Sequence, residues 1–383
     1  MQRSTDRILT THVGSLPRPQ EVVDALFAQD RGEALDPQVF DATMRAAVAE
    51  AVKQQAAAGV DVVSDGETSK ISYATYIRYR LTGFEVGDAP RQVPSDIDAF
   101  PGFKSRLAKI GDTPKYHRPV CRGPIAVKDL APLRKDIEHL KAALAIHGAA
   151  EGFMNAASPG VIAVFQPNEH YPTQEAYLGA LADAMRPEYE AIVAAGLVLQ
   201  IDAPDLAMGR HIAFRDAPEA EFLRSARLQV DALNHALANV PSDRVRMHLC
   251  WGNYEGPHHH DIALERIIDL VLAVKAQAYL FEGANPRHAH EWRVWKAARI
   301  PDDRILVPGV IDSVSNFIEH PELVAERICR YAGIVGRERV MAGTDCGFGT
   351  FAGAGAVHPP IAYAKLAAMV EGAALATRRL WGR

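Results

Sequence analysis

The segment RVRMHLC, residues 244–250, is a short β-rich run that ends on an imidazole and a thiol at alternate positions. Successive side chains of a strand point to opposite faces, so His248 and Cys250 share one side while Leu249 takes the other. Seven further runs of this kind punctuate the chain: ILTTHVGS (8–15), VDVVSDGE (60–67), FMNAASPGVIA (153–163), LVLQIDA (197–203), YLFEGA (279–284), ILVPGV (305–310) and RVMAGTDC (339–346). Between them lie alanine-rich segments with helical spacing, such as 37–59, 173–196 and 320–336, each closed by a glycine suited to the position after a helix end. Eight strand–helix units in alternation predict an α/β chain folded as a (β/α)8 TIM barrel.

One stretch breaks the rhythm. Residues 86–125, between the second and third barrel strands, are rich in Pro and Gly and hold an additional strand-like run. They are expected to form an inserted excursion near the barrel mouth, within a single barrel domain spanning 1–383. No fixed-period repeat or heptad points to a solenoid or a coiled coil.

Composition narrows the function classes. The chain has 383 residues, 48% of them hydrophobic, enough for a large core, and a net charge of −5 with no run of basic residues that would suit nucleic acid. The four cysteines, at 121, 250, 329 and 346, are widely spaced, which predicts a reducing compartment rather than a disulfide scaffold. No apolar stretch of signal-peptide or membrane-spanning length occurs, so the expected location is cytoplasmic, with neither nucleic acid nor membrane as partner.

In a barrel of this type, reactive groups gather at the C-terminal ends of the strands. Those ends offer Ser15, Glu67, Asp202, His248, Cys250, Glu282 and Cys346. Zinc takes imidazole nitrogen, thiolate sulfur and carboxylate oxygen in tetrahedral geometry, so His248, Cys250, Glu282 and Cys346 form a candidate metal set with one labile carboxylate. The competing reading makes Cys250 and Cys346 small buried hydrophobes, the reading also assigned to Cys121 and Cys329. His258, His259 and His260 follow Gly-Pro in a loop and are read as solvated rather than as ligands, and Trp292 and Trp295 as packing residues.

Taken together, HVGSLPRP, SDGE, LQIDAP, MHLC, FEG, PGVID and GTDCGFGT resemble, in content and in order, the C-terminal catalytic barrel of cobalamin-independent methionine synthase. The resemblance covers nearly the whole chain. It implies a zinc ion on His248, Cys250, Glu282 and Cys346, and substrate binding by Ser15, Glu67 and Asp202. Homocysteine would present its ammonium to Glu67 and Asp202 and its carboxylate to Ser15 or the Gly14 turn. Asp202 and Asp312 are the acids assigned to catalysis, and His12, Asp65, Asp312 and Asp345 the candidates for orienting ligands or the His248 ring. The implied partners are a small-molecule thiol and a methyl donor, 5-methyltetrahydrofolate or a simpler compound, and a homodimer is the assembly considered.

The chain also departs from that family. It has room for one barrel where the full-length enzyme has two. Ala203 replaces a carboxylate of the family's IDEP, and Ser313-Val314-Ser315 replaces a histidine after PGV-D. Phe165 takes the place of an expected tryptophan, and Asn168, Glu169 and His170 predict a more polar pocket there. A zinc-dependent alkyltransferase of the epoxyalkane:coenzyme M transferase type and a non-catalytic zinc-stabilised barrel are the rival functions.

Overall fold

The computed structural model describes residues 1–87, 93–110 and 117–382. Ten strands are present among them: β1 Leu9–Thr10, β2 Val62–Val63, β3 Phe84–Gly87, β4 Arg118–Cys121, β5 Glu151–Ala157, β6 Val198–Asp202, β7 Val245–Leu249, β8 Ala278–Phe281, β9 Ile305–Ile311 and β10 Met341–Thr344. Eight of them form one parallel sheet in the order β1-β10-β9-β8-β7-β6-β5-β2. A parallel bridge between Thr11 and Val62 joins its two ends, so the sheet closes as the expected (β/α)8 barrel.

Three of the sequence-based runs shift their boundaries, each for a local reason. The first two runs pair over only two residues apiece, because side chains take backbone bonds that a ladder would use: Thr10 N–H donates to Asp61 Oδ2 at 2.8 Å, and Thr11 Oγ1 donates to Val62 O at 2.9 Å. The run 153–163 contains two elements. β5 ends at Ala157, and Ser158 caps a helix, Pro159–Phe165, by accepting from Val161 N–H at 2.9 Å, with proline at the first helical position. The long helices Pro37–Ala57 and Gln174–Ala194 run up to Gly59 and Gly196, whose φ of +83° and +88° ends them as anticipated.

Most of the apolar core lies between the strands and the helix ring, and it includes Met154, Leu199, Met247, Leu306, Ile328 and Leu366. A second apolar cluster, including Leu9, Leu280 and Val307, is separate from that core, and buried polar groups lie among the strands as well. Arg246 places its guanidinium 3.7 Å from the centroid of the Phe153 ring and donates to Gln200 Oε1 (2.7 Å), Thr11 Oγ1 (2.9 Å) and His12 O (2.5 Å). Those bonds offset the desolvation of a buried charge.

The excursion starts slightly earlier than expected. β3 and β4 pair antiparallel, with Phe84 opposite Cys121 and Gly87 opposite Arg118, and helices Ser95–Asp98 and Pro101–Ile110 lie between them. Its residues 88–92 and 111–116 lie outside the described residues. Among the described residues no helix is long and apolar enough to cross a membrane.

Candidate metal centre and substrate cavity

Parallel register sets Asp202 of β6 beside His248 of β7. Cys250 follows one residue after β7 ends, and Cys346 two residues after β10 ends. His248 Nε2 lies 3.3 Å from Cys346 Sγ, and Cys250 Sγ lies 3.1 Å from Cys346 Sγ. One donor atom from each of the three falls within 4.8 Å of the others, and all three residues are buried. The hydrogen bond from Cys250 draws the Cys346 thiol down to about 6 against the effect of burial, with His248 assisting. That same bond, followed by burial, raises Cys250. Burial alone would suppress charge on His248, yet Cys346, Asp202 and Glu282 together lift its imidazole above the ordinary value. The cluster therefore tends toward one thiolate beside one imidazolium.

Glu282 lies outside that close triad. Its Oε1 accepts from Trp251 N–H at 2.9 Å, and its Oε2 accepts from Asn285 Nδ2 at 2.6 Å and from the Arg287 guanidinium. Burial would raise its carboxyl, but Arg287 and His288 outweigh it and keep the group ionised. Asp345, next to Cys346, accepts from Gly283, Ala284 and Asn285 N–H at 2.8 Å each. It thereby holds the loop that carries Glu282.

Ser15, Glu67 and Asp202 line the same cavity of about 440 Å³ as His248, Cys250 and Cys346. Glu67 adopts φ +53°, a left-handed conformation uncommon for a residue with a side chain, and follows Gly66 at +67°. Three contacts hold it there: its N–H donates to Asp65 Oδ1 (3.0 Å), and its carbonyl accepts from Arg18 Nη2 (2.8 Å) and from Lys70 N–H (3.1 Å). Its Oε2 is buried with no hydrogen-bond partner among the described residues. Burial pushes its carboxyl up to about 8, opposed by Lys70 and reinforced by Asp202. Asp202 is likewise raised by burial, although it accepts from Asn155 Nδ2 (2.9 Å) and Gln200 Nε2 (3.0 Å). A Cβ on Gly14 would sit 2.3 Å from Asn155 Oδ1, so the turn after β1 requires glycine.

Several sequence-based expectations are corrected here. Asp312 is not among the residues lining the cavity, although its neighbours Ser313 and Val314 are; its Oδ1 accepts from Val314 N–H at 3.2 Å. His12 does not reach the His248 ring, because its Nε2 binds Gln55 Oε1 at 2.7 Å and its Nδ1 accepts from Gly14 N–H at 3.2 Å. Burial lowers it to about 3, leaving it neutral. His258 is buried rather than solvated, stacked 4.0 Å from Tyr254 and bonded to Asp261, whereas His259 and His260 are exposed. The polar pocket expected from Asn168, Glu169 and His170 does not form. Asn168 Oδ1 accepts from the backbone of His170 and Tyr171, Glu169 pairs with Arg122, and the wall belongs to Val164, Phe165, Tyr73 and Phe351. Trp295 stacks on Phe281 as packing, and Cys121 and Cys329 take no part in the donor cluster.

The sequence reading missed Asn155, Gln200, Arg246, Asn253 and Asp96. The first three had a signal, each being a polar residue in an otherwise apolar strand. Asp96 did not: it reaches from the excursion to accept from Tyr254 OH (2.9 Å) and His258 N–H (2.8 Å).

Comparison with known proteins assigns this architecture. The family model described as "Cobalamin-independent synthase, Catalytic domain" matches residues 8–104 and 109–374. The chain belongs to that family. Among curated members, it is 25% identical over 366 residues to a methionine synthase of Saccharolobus islandicus (strain Y.N.15.51), covering 95% of this chain and 93% of that protein. It is 25% identical over 374 residues to a methionine synthase of Sulfolobus acidocaldarius, covering 97% and 93% respectively. A B12-independent methionine synthase from Shewanella sp. W3-18-1, solved in complex with selenomethionine, shares the fold at a TM-score of 0.75 and 17% identity, over 98% of this chain and 100% of that one. Within the cobalamin-independent synthase family, then, the excursion, the cavity and the three-donor cluster describe this member's version of the catalytic barrel.

Proposed function

We propose that the chain is a zinc-dependent S-methyltransferase that methylates the thiol of homocysteine to give methionine. Family membership and the curated methionine synthases that match over nearly their full length support a methyltransferase of this kind. The observation that carries the substrate assignment is one cavity holding both a sulfur–nitrogen donor cluster and two buried carboxylates, one with an unpartnered oxygen.

Zinc suits the donor set, since two cysteine sulfurs and an imidazole nitrogen within 4.8 Å of one another are the mixture that ion prefers. His248, Cys250 and Cys346 would hold it, with Glu282 as the proposed fourth ligand. When bound, the ion would keep a coordinated substrate thiol ionised at neutral pH.

The protein's own groups supply the rest. Glu67 and Asp202 orient the substrate ammonium, whose charge restores both carboxylates to the ionised state that burial disfavours. Asp202 is thus, with Glu67, an acid in contact with substrate. Asp312 acts at one remove, by fixing the Val314 wall. Ser15 and the Gly14 turn lie at the same cavity and suit the substrate carboxylate. Tyr73, Phe165 and Phe351 form an aromatic side, with Tyr73–Phe165 centroids 5.5 Å apart, that suits the body of a methyl donor such as 5-methyltetrahydrofolate or a simpler compound. A sulfonate thiol, as used by epoxyalkane:coenzyme M transferases, brings no ammonium to the two carboxylates.

The test is turnover of zinc-loaded protein with homocysteine and a panel of methyl donors, alongside coenzyme M with an epoxide. Methionine formation supports the proposal. Metal-independent turnover, or turnover of coenzyme M alone, would refute it.

A further inference from the structure

We propose that Asn253 is a positioning residue that clasps the loop of Cys346 to the loop of Cys250 and thereby sets the geometry of the two thiols. The inference rests on the reading that those thiols hold a metal.

Asn253 lies three positions after Cys250 and lines the cavity. Its Nδ2 donates to Gly347 O at 2.7 Å, one residue beyond Cys346, and to Thr350 Oγ1 at 2.6 Å. Ser313 Oγ, from the loop after β9, donates to Asn253 Oδ1 at 2.9 Å and so fixes which end of the amide faces Gly347. Among the described residues, these two bonds from Asn253 and the thiol–thiol contact are the hydrogen bonds joining loop 250–254 to loop 346–350. The far side of the Cys346 loop is seated on the turn after β1, where Phe348 N–H donates to Ser15 O at 2.8 Å and a Cβ on Gly347 would lie 2.0 Å from Ser15 Oγ. One amide therefore ties the Cys250 loop to the Cys346 loop, which is itself seated on the turn that carries Ser15. A ligand pair separated by 96 residues needs such a brace, because nothing local in the chain sets the sulfur–sulfur distance.

The test measures zinc affinity of the full chain by chelator competition, together with the visible spectrum of the cobalt(II)-substituted protein. Asn253→Ala is expected to weaken zinc binding about tenfold or more and to alter the thiolate–cobalt bands. Asn253→Asp keeps the shape, loses both N–H donors and sets an oxygen against Gly347 O, so it should weaken binding similarly even if the alanine variant folds poorly. Ser313→Ala leaves both donors in place and should cost less. Wild-type affinity and an unchanged cobalt spectrum in both Asn253 variants would overturn the proposal. If the wild type itself takes up no zinc, the metal reading has failed instead. The clasp is then judged on the rate at which Cys250 and Cys346 join in a disulfide under mild oxidant: slower joining in Asn253→Ala upholds it, and an unchanged rate overturns it.

Discussion

The sulfurs of Cys250 and Cys346, 96 residues apart in the chain, lie 3.1 Å from each other at the mouth of the barrel. Replacing either therefore removes half of the soft donor pair. Cys346→Ser is expected to lose stoichiometric zinc and to bring methionine formation down to background while the far-ultraviolet circular dichroism stays that of the wild type. Elemental analysis beside a turnover assay checks this, and full metal content with an unchanged rate would end the zinc mechanism.

The unpartnered carboxyl of Glu67 makes ligand binding a proton-releasing event. Its pKa rises from 4.5 to about 8 in the folded protein, so near pH 7 it is mostly protonated until an ammonium arrives. Methionine, which has no thiol to ionise, should displace protons on binding, and Glu67→Gln should reduce that release by up to one proton. Calorimetry in buffers of differing ionisation enthalpy measures it directly.

The same shift has a stability consequence of defined sign. A carboxyl raised in the folded state holds its proton more tightly there than in the unfolded chain, so its contribution falls as pH rises from 4.5 to about 8. Denaturant titrations of ligand-free protein across that range should show a shallower decline for Glu67→Gln. The difference is at most about 1.4 kcal/mol per pH unit.

Asp96 secures the excursion to the loop that follows Cys250, through Tyr254 OH and His258 N–H. Its neighbours Pro94 and Ile97 line the cavity, so Asp96→Ala should raise KM for the methyl donor about tenfold while zinc content holds. Steady-state kinetics with each substrate varied in turn separates this from a loss of the metal centre. An unchanged donor KM would show that the tether is irrelevant to catalysis.

Arg80 secures the fold beneath the mouth. Its guanidinium, itself buried, pairs with Asp136 and, at 2.8 Å, with Glu188, and those acids come from two different helices. Arg80→Leu leaves the two acids uncompensated and should cost about 3–5 kcal/mol in urea unfolding.

The barrel was legible because most strands lie in largely apolar runs followed by a helical period, and those signals are local. The cluster of His248, Cys250 and Cys346 was legible for a related reason: strand periodicity put His248 and Cys250 on one side, and barrel topology put Cys346 at the same end. Ser158-Pro159 carries the signal of a helix start, which the reading of 153–163 as a single strand misses. His258 failed because nothing in GPHHHD distinguishes the one imidazole that meets Tyr254 and Asp261 from the two left in solvent. Asn168, Glu169 and His170 failed for the opposite reason. Their polarity is spent on the backbone and on Arg122, so it never reaches the cavity.

The sequence by itself determined the eight alternating units, the glycine stops and the kinds of ligand atom at the strand ends, since all of these follow from dihedral preference, periodicity and side-chain chemistry. Only the tertiary structure decided that Glu282 turns to Arg287 rather than joining the close triad, that Glu67 keeps an unpaired oxygen, and that Asn253 bridges the two thiol loops. Those outcomes depend on which groups meet across tens of residues and on how much water is excluded where they meet, and neither is encoded in any single stretch of chain.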